Sequence, residues 1–417
     1  MMAKQDYPVK FLVPLLVVLI ATSFSGVFLS PVACQTTIDR TPDRIVSNEM
    51  ELRNAVNNTI KPTVIALNND IALTDQLVIP VNKDITLTST STSRFFKLIG
   101  GDTGRSTLGP TEYPQAVINV DGSGVLRIDG VSVTCDNYPL AWNNLVRVNV
   151  CGTLILYNGE ISGNILGCGV VNSGTFEMYG GKISNNNAKA GYGGGVYNRN
   201  HGTFSMFGGE ISNNIGFGVY NRGTYNWGWS YGVFSMYGGV ISNNDGGGVQ
   251  NSAIFSMSGG EISNNVGGNI MQSGGGVSNS GIFSMSGGVI SNNQATHGGG
   301  VYNYHDANFS LAENAIISNN NAEVGGGVYN AGTFNRQGGV ISGNTATQYN
   351  DIYPNDDSPL PTSNITASSG PSSMQTINTG ANIPETEQFP TPVLVVALIL
   401  LAVATASALL FRKHRKT

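Results

Sequence analysis

Phe204-Ser205-Met206-Phe207-Gly208-Gly209-Glu210-Ile211-Ser212-Asn213-Asn214 returns as Phe234-Ser235-Met236-Tyr237-Gly238-Gly239-Val240-Ile241-Ser242-Asn243-Asn244, and again from Phe255 to Asn265. Its closing motif, Ile-Ser-Asn-Asn or Ile-Ser-Gly-Asn, begins at Ile161, Ile183, Ile211, Ile241, Ile262, Ile290, Ile317 and Ile341. The steps are 22, 28, 30, 21, 28, 27 and 24 residues. Further upstream stands Gly-Gly-Val-Tyr-Asn, as at Gly194-Gly195-Val196-Tyr197-Asn198 and Gly299-Gly300-Val301-Tyr302-Asn303. Short motifs that persist while their spacing drifts imply strands of fixed length joined by turns of variable length.

Each motif alternates with period two, as a strand does. In Phe-Ser-Met the first and third residues are expected to point inward. In Val-Tyr-Asn the Val and Asn are expected inside and the Tyr outside. In the closing motif Ile and the first Asn are expected inside and Ser outside. Three such strands, turning on Gly and Asn residues that tolerate positive φ, make one coil. Stacked coils put like residues about 4.8 Å apart. Phe176, Phe204, Phe234, Phe255 and Phe283 then form one internal column, and Met178, Met206, Met236, Met257 and Met285 another. Inward Asn residues bond from coil to coil, which satisfies polar groups that burial would leave unpaired.

The expected fold is therefore all-β, a right-handed parallel β-helix solenoid of roughly a dozen coils. Ahead of the repeats, Asn48 with Glu51 forms a capping box. It starts a short amphipathic helix bearing Leu52, Ala55 and Val56, which caps the open first coil. Apolar strands are expected at residues 63–67, 77–79, 85–87, 116–118 and 125–128.

Residues 47–352, with the repeats at 152–352, resemble the right-handed parallel β-helix superfamily that includes pectin and pectate lyases. The Gly-Gly-Gly-Val-Tyr-Asn and Phe-Ser-Met-x-Gly-Gly-x-Ile-Ser-Asn-Asn motifs are similar to repeats of adhesin-like surface proteins and of polymorphic outer-membrane proteins. The chain lacks the latter family's C-terminal membrane barrel and its Phe-x-x-Asn motif. The resemblance thus implies the fold and no shared export route.

The two ends suggest a compartment. Lys4 and Lys10 precede an apolar run, then small residues and Val32-Ala33-Cys34. That layout reads as a signal peptide over residues 1–34, cleaved after Ala33 or Cys34, with an uncleaved anchor as the alternative. Residues 353–390, rich in Pro, Ser, Thr and Asn, read as a disordered stalk. Residues 391–411 read as a transmembrane helix, because 393–411 form an unbroken run of 19 apolar or small residues. The basic tail at 412–417 is expected on the cytoplasmic side. The expected localisation is the cell surface, as a single-pass membrane protein with an extracellular N-terminal domain.

Composition narrows the chemistry. Among 417 residues there are 55 glycines, 11% are charged and the net charge is −5. Such glycine content argues against a helical protein, and the charge balance offers no basic surface for nucleic acid. Residues 152–352 carry fourteen charged side chains, nine of them acidic. The Asp, Arg and His constellations of galacturonan hydrolases are missing, and His201 and His297 read as turn residues. The outward series Glu160, Lys182, Glu210, Val240, Glu261 reads as an exposed charge ladder of little energetic weight. No catalytic residue, metal ligand or cofactor is assigned. Cys34, Cys135, Cys151 and Cys168 receive no disulfide pairing, and the sequons at Asn57, Asn308 and Asn364 permit glycosylation only.

Aromatics carry the functional expectation. Tyr157, Tyr179, Phe207 and Tyr237 point outward on four consecutive coils, spaced to stack on sugar faces or to dock a protein. The 30-residue step holds an insertion, residues 223–231, in which Tyr225, Trp227, Trp229 and Tyr231 share one face of a hairpin. That hairpin is expected beside Phe207 and Tyr237. The expected ligand-binding set is Tyr225, Trp227, Trp229, Tyr231, Tyr179, Phe207 and Tyr237, facing an extracellular glycan or surface protein. A polysaccharide lyase or glycoside hydrolase, and a passive structural envelope protein, are the alternatives.

Overall fold

The structure, a computed structural model, describes residues 41–100, 116–135, 144–188, 193–199, 201–224, 230–267 and 274–354. The signal segment, the span at 391–411, the basic tail and nearly all of the stalk lie outside them. Among the described residues no helix is long and apolar enough to cross a membrane.

The chain is an all-β, parallel-strand solenoid. A broad sheet of 19 strands and a narrow sheet of 11 strands run along it. Parallel pairing links twelve successive rungs of the broad sheet, from Arg44–Val46 to Thr333–Arg336. At the usual strand spacing they span about 50 Å. Each repeat supplies three legs, such as Thr203–Met206 and Glu210–Ser212 in the broad sheet and Phe217–Asn221 in the narrow one.

The register places like on like. Phe204 pairs with Phe176 and Phe234, and Met206 with Met178 and Met236. The Phe rings stack at 4.7–4.9 Å from Phe176 to Phe309, fully buried, and Phe334 extends the column at 4.8 Å. Between the two broad-sheet legs the second Gly of each Gly-Gly pair makes the bend. Gly209 has φ +85°, and a Cβ there would lie 2.6 Å from the Met178 methyl of the preceding rung. Both the backbone and the packing therefore require glycine at this corner.

Burial of asparagine differs from the expectation in one respect. In Ile-Ser-Asn-Asn the second Asn points inward, not the first. Asn213 and Asn243 are exposed with φ 55°, while Asn214 and Asn244 are buried. The first Asn is the corner residue that adopts the left-handed conformation, so its side chain turns out. Gly163 and Gly343 take the same corner in the Ile-Ser-Gly-Asn variants, at φ 83° and 69°.

The inward amides form two ladders. In one, Asn186 Nδ2 donates to Asn214 Oδ1 at 3.1 Å, Asn214 to Asn244 at 3.0 Å, and the series continues through Asn265, Asn293 and Asn320 to Asn344. At its start the Asn164 backbone N–H donates to Asn186 Oδ1 at 3.2 Å, while the Asn164 amide itself donates to Cys168 O at 2.9 Å, and Asn344 ends the ladder by donating to Asp351 Oδ1 at 2.9 Å. The other ladder runs Asn172, Asn198, Asn221, Asn251, Asn279, Asn303, Asn330, with bonds of 2.7–2.8 Å. Each pairs a donor with an acceptor in the interior, the second ladder reaching a partly exposed residue at Asn330.

The N-terminal end carries the expected helix, α1 (Glu49–Asn57), with Leu52 and Val56 buried. Asn48 Oδ1 accepts from the Glu51 backbone at 3.0 Å, and Glu51 returns a bond to the Ser47 N–H at 2.8 Å. The expected early strands are all present, at Thr63–Leu67, Leu77–Ile79, Asp84–Ser89, Ala116–Val120 and Val125–Thr134.

Candidate functional site

Tyr157, Tyr179, Phe207 and Tyr237 each follow the last inward residue of a broad-sheet leg, so alternation turns them outward. Their rings stack at 5.2, 4.7 and 5.0 Å with interplanar angles of 18°, 10° and 10°. Tyr179 and Tyr237 are 39% and 44% exposed. Because Tyr179 and Phe207 each have a ring on either side, they present edges to solvent rather than faces. Tyr237 differs, since the next rung carries the small, exposed Ser258. The row therefore offers the edges of Tyr179 and Phe207 and a terminal face at Tyr237, not the continuous run of faces expected from spacing alone. Tyr179 also donates to Glu177 Oε2 at 3.2 Å, and burial followed by the Glu177 charge raises its pKa.

Beside the row, beyond the Gly-Gly bend, lies the charge ladder in the expected register: Glu160, Lys182, Glu210, Val240, Glu261. Lys182 Nζ meets Glu210 Oε1 at 3.2 Å. The Ser212 hydroxyl holds the Glu210 carboxyl below its usual range, against an opposing effect of burial that ranks second, and Lys182 adds to the lowering. A general acid needs the opposite shift, so Glu210 is unsuited to protonating a leaving group. Among the described residues no group of His, Cys, Asp or Glu is arranged to hold a metal ion. Cys135, Cys151 and Cys168 are free thiols.

The insertion is rooted by antiparallel pairing of Gly223–Thr224 with Ser230–Tyr231. Tyr225, Trp227 and Trp229, and the side chain of Tyr231, lie outside the described residues. The root stands at the corner between Phe217–Asn221 and Val233–Met236, whereas Tyr237 follows the far end of the latter strand. Six residues of extended chain, roughly 20 Å, separate Tyr231 from Tyr237. The hairpin base therefore neighbours the narrow sheet, not Phe207 and Tyr237. There Arg222 Nη1 donates to the Tyr197 hydroxyl at 2.6 Å.

The narrow sheet carries a second outward column to which no role was expected. In register it reads Val171, Tyr197, Tyr220, Gln250, Ser278, Tyr302, Tyr329, Tyr353. Tyr197 and Tyr220 stack at 5.3 Å, Tyr302 and Tyr329 at 4.7 Å, Tyr329 and Tyr353 at 4.8 Å. His297 is more than a turn residue, because its ring packs edge-on against Tyr329 at 5.2 Å and Tyr302 at 6.4 Å. The signal was legible: Tyr recurs in Gly-Gly-Val-Tyr-Asn and fails twice in succession. His201, by contrast, is an exposed turn residue with φ 68°.

Neither a family model, nor a curated protein, nor a solved structure matches this chain.

Proposed function

We propose that the chain is a membrane-anchored cell-surface protein that binds an extracellular glycan or a surface protein through exposed aromatic residues. The observation that carries this reading is the solvent-facing stack of Tyr157, Tyr179, Phe207 and Tyr237. Rings fixed by their neighbours lose little side-chain freedom on binding, which favours a contact surface. Tyr179, Phe207 and Tyr237 would contribute edges and, at Tyr237, a stacking face. Tyr225, Trp227, Trp229 and Tyr231 would form a separate contact on the hairpin. In this reading the solenoid is a right-handed β-helix akin to the pectin-lyase-like superfamily, held outside the cell by residues 391–411. The lowered pKa of Glu210 and its pairing with Lys182 weigh against glycoside hydrolysis.

The test is a glycan array probed with the full chain in detergent micelles, alongside the double variant Tyr179→Ala/Tyr237→Ala. Loss of two exposed aromatic contacts is expected to weaken binding by about tenfold or more, at roughly 0.5–1.5 kcal/mol each. Equal binding by parent and variant would refute the role of the row.

A further inference from the structure

We propose that Asn308 carries an N-linked oligosaccharide, attached through Nδ2, whose first sugar lies over Ile282 on the broad sheet. This rests on the reading above that the solenoid lies outside the cell, where such a modification is found. The repeat itself singles out Asn308. Register places one outward column at the start of the first broad-sheet leg: Thr153, Thr175, Thr203, Val233, Ile254, Ile282, Asn308, Thr333. Every member except Asn308 is β-branched, the side-chain type that a pleated surface favours, whereas asparagine is depleted in strands.

Nothing in the fold accounts for the exception. Asn308 donates its backbone N–H to Gly281 O at 2.9 Å, and its carbonyl accepts from Asn279 Nδ2 at 3.0 Å. Both bonds use the backbone alone. Its side chain is exposed, and the amide has no hydrogen-bond partner among the described residues. In the ladders, by contrast, asparagine is buried and bonded from rung to rung, as at Asn279 and Asn303. What residue 308 does complete is an acceptor motif. Serine recurs two positions on, at Ser205, Ser235, Ser256, Ser284 and Ser310, so this one change creates Asn-Phe-Ser. Phe309 is fully buried, so Asn308 and Ser310 share the outer face of the strand. The sequon at Asn57 differs, because its residues serve the end of α1. The Asn57 carbonyl accepts from Lys83 Nζ at 3.0 Å, and the buried Thr59 donates its hydroxyl to Ala55 O at 2.7 Å.

Ile282, paired with Asn308 on the preceding rung, is 39% exposed. At one strand spacing, about 4.8 Å, it lies within reach of the first sugar, whose apolar face covers it. The chemistry is a group transfer from a lipid-linked oligosaccharide phosphate. The bond from sugar C1 to the phosphate oxygen breaks, C1 bonds to Nδ2, and one Nδ2 proton passes to the departing phosphate. In the folded chain Asn308 is paired to rungs on both sides. Transfer therefore precedes closure of the following rung, while the segment is still free to enter a transferase.

The full chain is isolated from the cells that make it, and its glycopeptides are read by mass spectrometry with electron-transfer fragmentation. The peptide bearing Asn308 is expected to carry an oligosaccharide in the parent and in Ser310→Thr, and none in Asn308→Gln or Ser310→Ala. Asn308 is exposed and Ser310 partly so, so these variants should fold as the parent does. In parallel, intact cells are treated with a membrane-impermeant amine reagent, read at Lys182, whose side chain is 39% exposed. A bare Asn308 with Lys182 labelled overturns the proposal and leaves the extracellular location standing. A bare Asn308 with Lys182 unlabelled overturns both. An oligosaccharide retained in Ser310→Ala also overturns the proposal, since attachment would not depend on the motif. Hydroxyl-radical oxidation of Ile282 should be faster in Asn308→Gln than in the parent, and equal rates would overturn the covering of Ile282.

Discussion

Asn243 and Asn244 are neighbours in sequence and opposites in environment, so the same substitution should have different outcomes at the two positions. Asn244 Oδ1 accepts from the Asn214 backbone N–H at 3.1 Å and from Asn214 Nδ2 at 3.0 Å. Its Nδ2 donates to Ile211 O at 3.1 Å and to Asn265 Oδ1 at 2.9 Å. Asn244→Asp keeps the shape and the accepting oxygen, but faces a second oxygen against two acceptors. With two buried interactions turned from favourable to unpaired, at about 1–3 kcal/mol each, the expected loss at neutral pH is roughly 2–6 kcal/mol.

The loss should depend on pH in a defined direction. Burial among acceptors raises the folded-state pKa of the introduced carboxyl above its unfolded value of about 3.9. The protonated acid donates one bond back, so the variant approaches the parent below the unfolded pKa and falls away as pH rises through the folded one. Asn243→Asp, exposed and at a φ that Asp tolerates, should stay within about 0.5 kcal/mol. A solenoid need not unfold in one step. The assay is therefore hydrogen exchange across residues 211–265 at pH 4 and pH 7, supported by melting curves for both variants and the parent. Similar small effects at both positions, or a pH-independent deficit in Asn244→Asp, would refute the ladder as a source of stability.

Gly209→Ala combines a strained φ with a clash against the Met178 methyl, and a loss of about 1–3 kcal/mol in urea titration is expected; a neutral result would mean the bend tolerates a side chain. Burial pushes the Cys168 thiol up to about 12, so at pH 8 iodoacetamide should label exposed Cys151 and spare Cys168 until the chain is denatured, with mass spectrometry of the peptides as the readout. Trp227→Ala/Trp229→Ala should weaken ligand or cell-surface binding while leaving the melting temperature nearly unchanged, and a fall of many degrees without a binding defect would make the hairpin structural. Protease added to intact cells should release the solenoid by cutting within residues 353–390; protection until lysis would contradict an exposed stalk.

Much of this architecture was legible in the chain. Period-two alternation in Phe-Ser-Met gave the Phe176–Phe283 column directly, because a one-residue slip would put Ser in the core. The capping box at Asn48 announced α1 for a similar reason, since its hydrogen bonds are local. What alternation cannot supply is the conformation of a corner. Choosing between Asn213 and Asn214 as the inward amide needs the φ of the turn, and only the Gly163 and Gly343 variants hinted at it. Ring orientation was equally hidden, because spacing along the row fixes distances between Tyr179, Phe207 and Tyr237 but not which surface each ring shows. The strands Ile71–Leu73 and Phe96–Gly100 went unread, being short and set among polar turns.

The asparagine ladders also give the solenoid an electrical direction. From Asn186 onward every amide donates toward the C-terminal rung, so their dipoles add along the axis as peptide dipoles do in a helix. The row presents its positive end at Asn344, and the Asp351 carboxylate sits against that end at 2.9 Å. Hydrogen bonds in such a series polarise one another, so reversing a single amide would set two acceptors face to face at one junction and two donors at the next. A further rung inserted after Asn344 would lengthen the row yet carry its positive end away from Asp351. The two ends are thus unlike in charge as well as in shape, with the Asn164 backbone N–H against the negative pole and a carboxylate against the positive one.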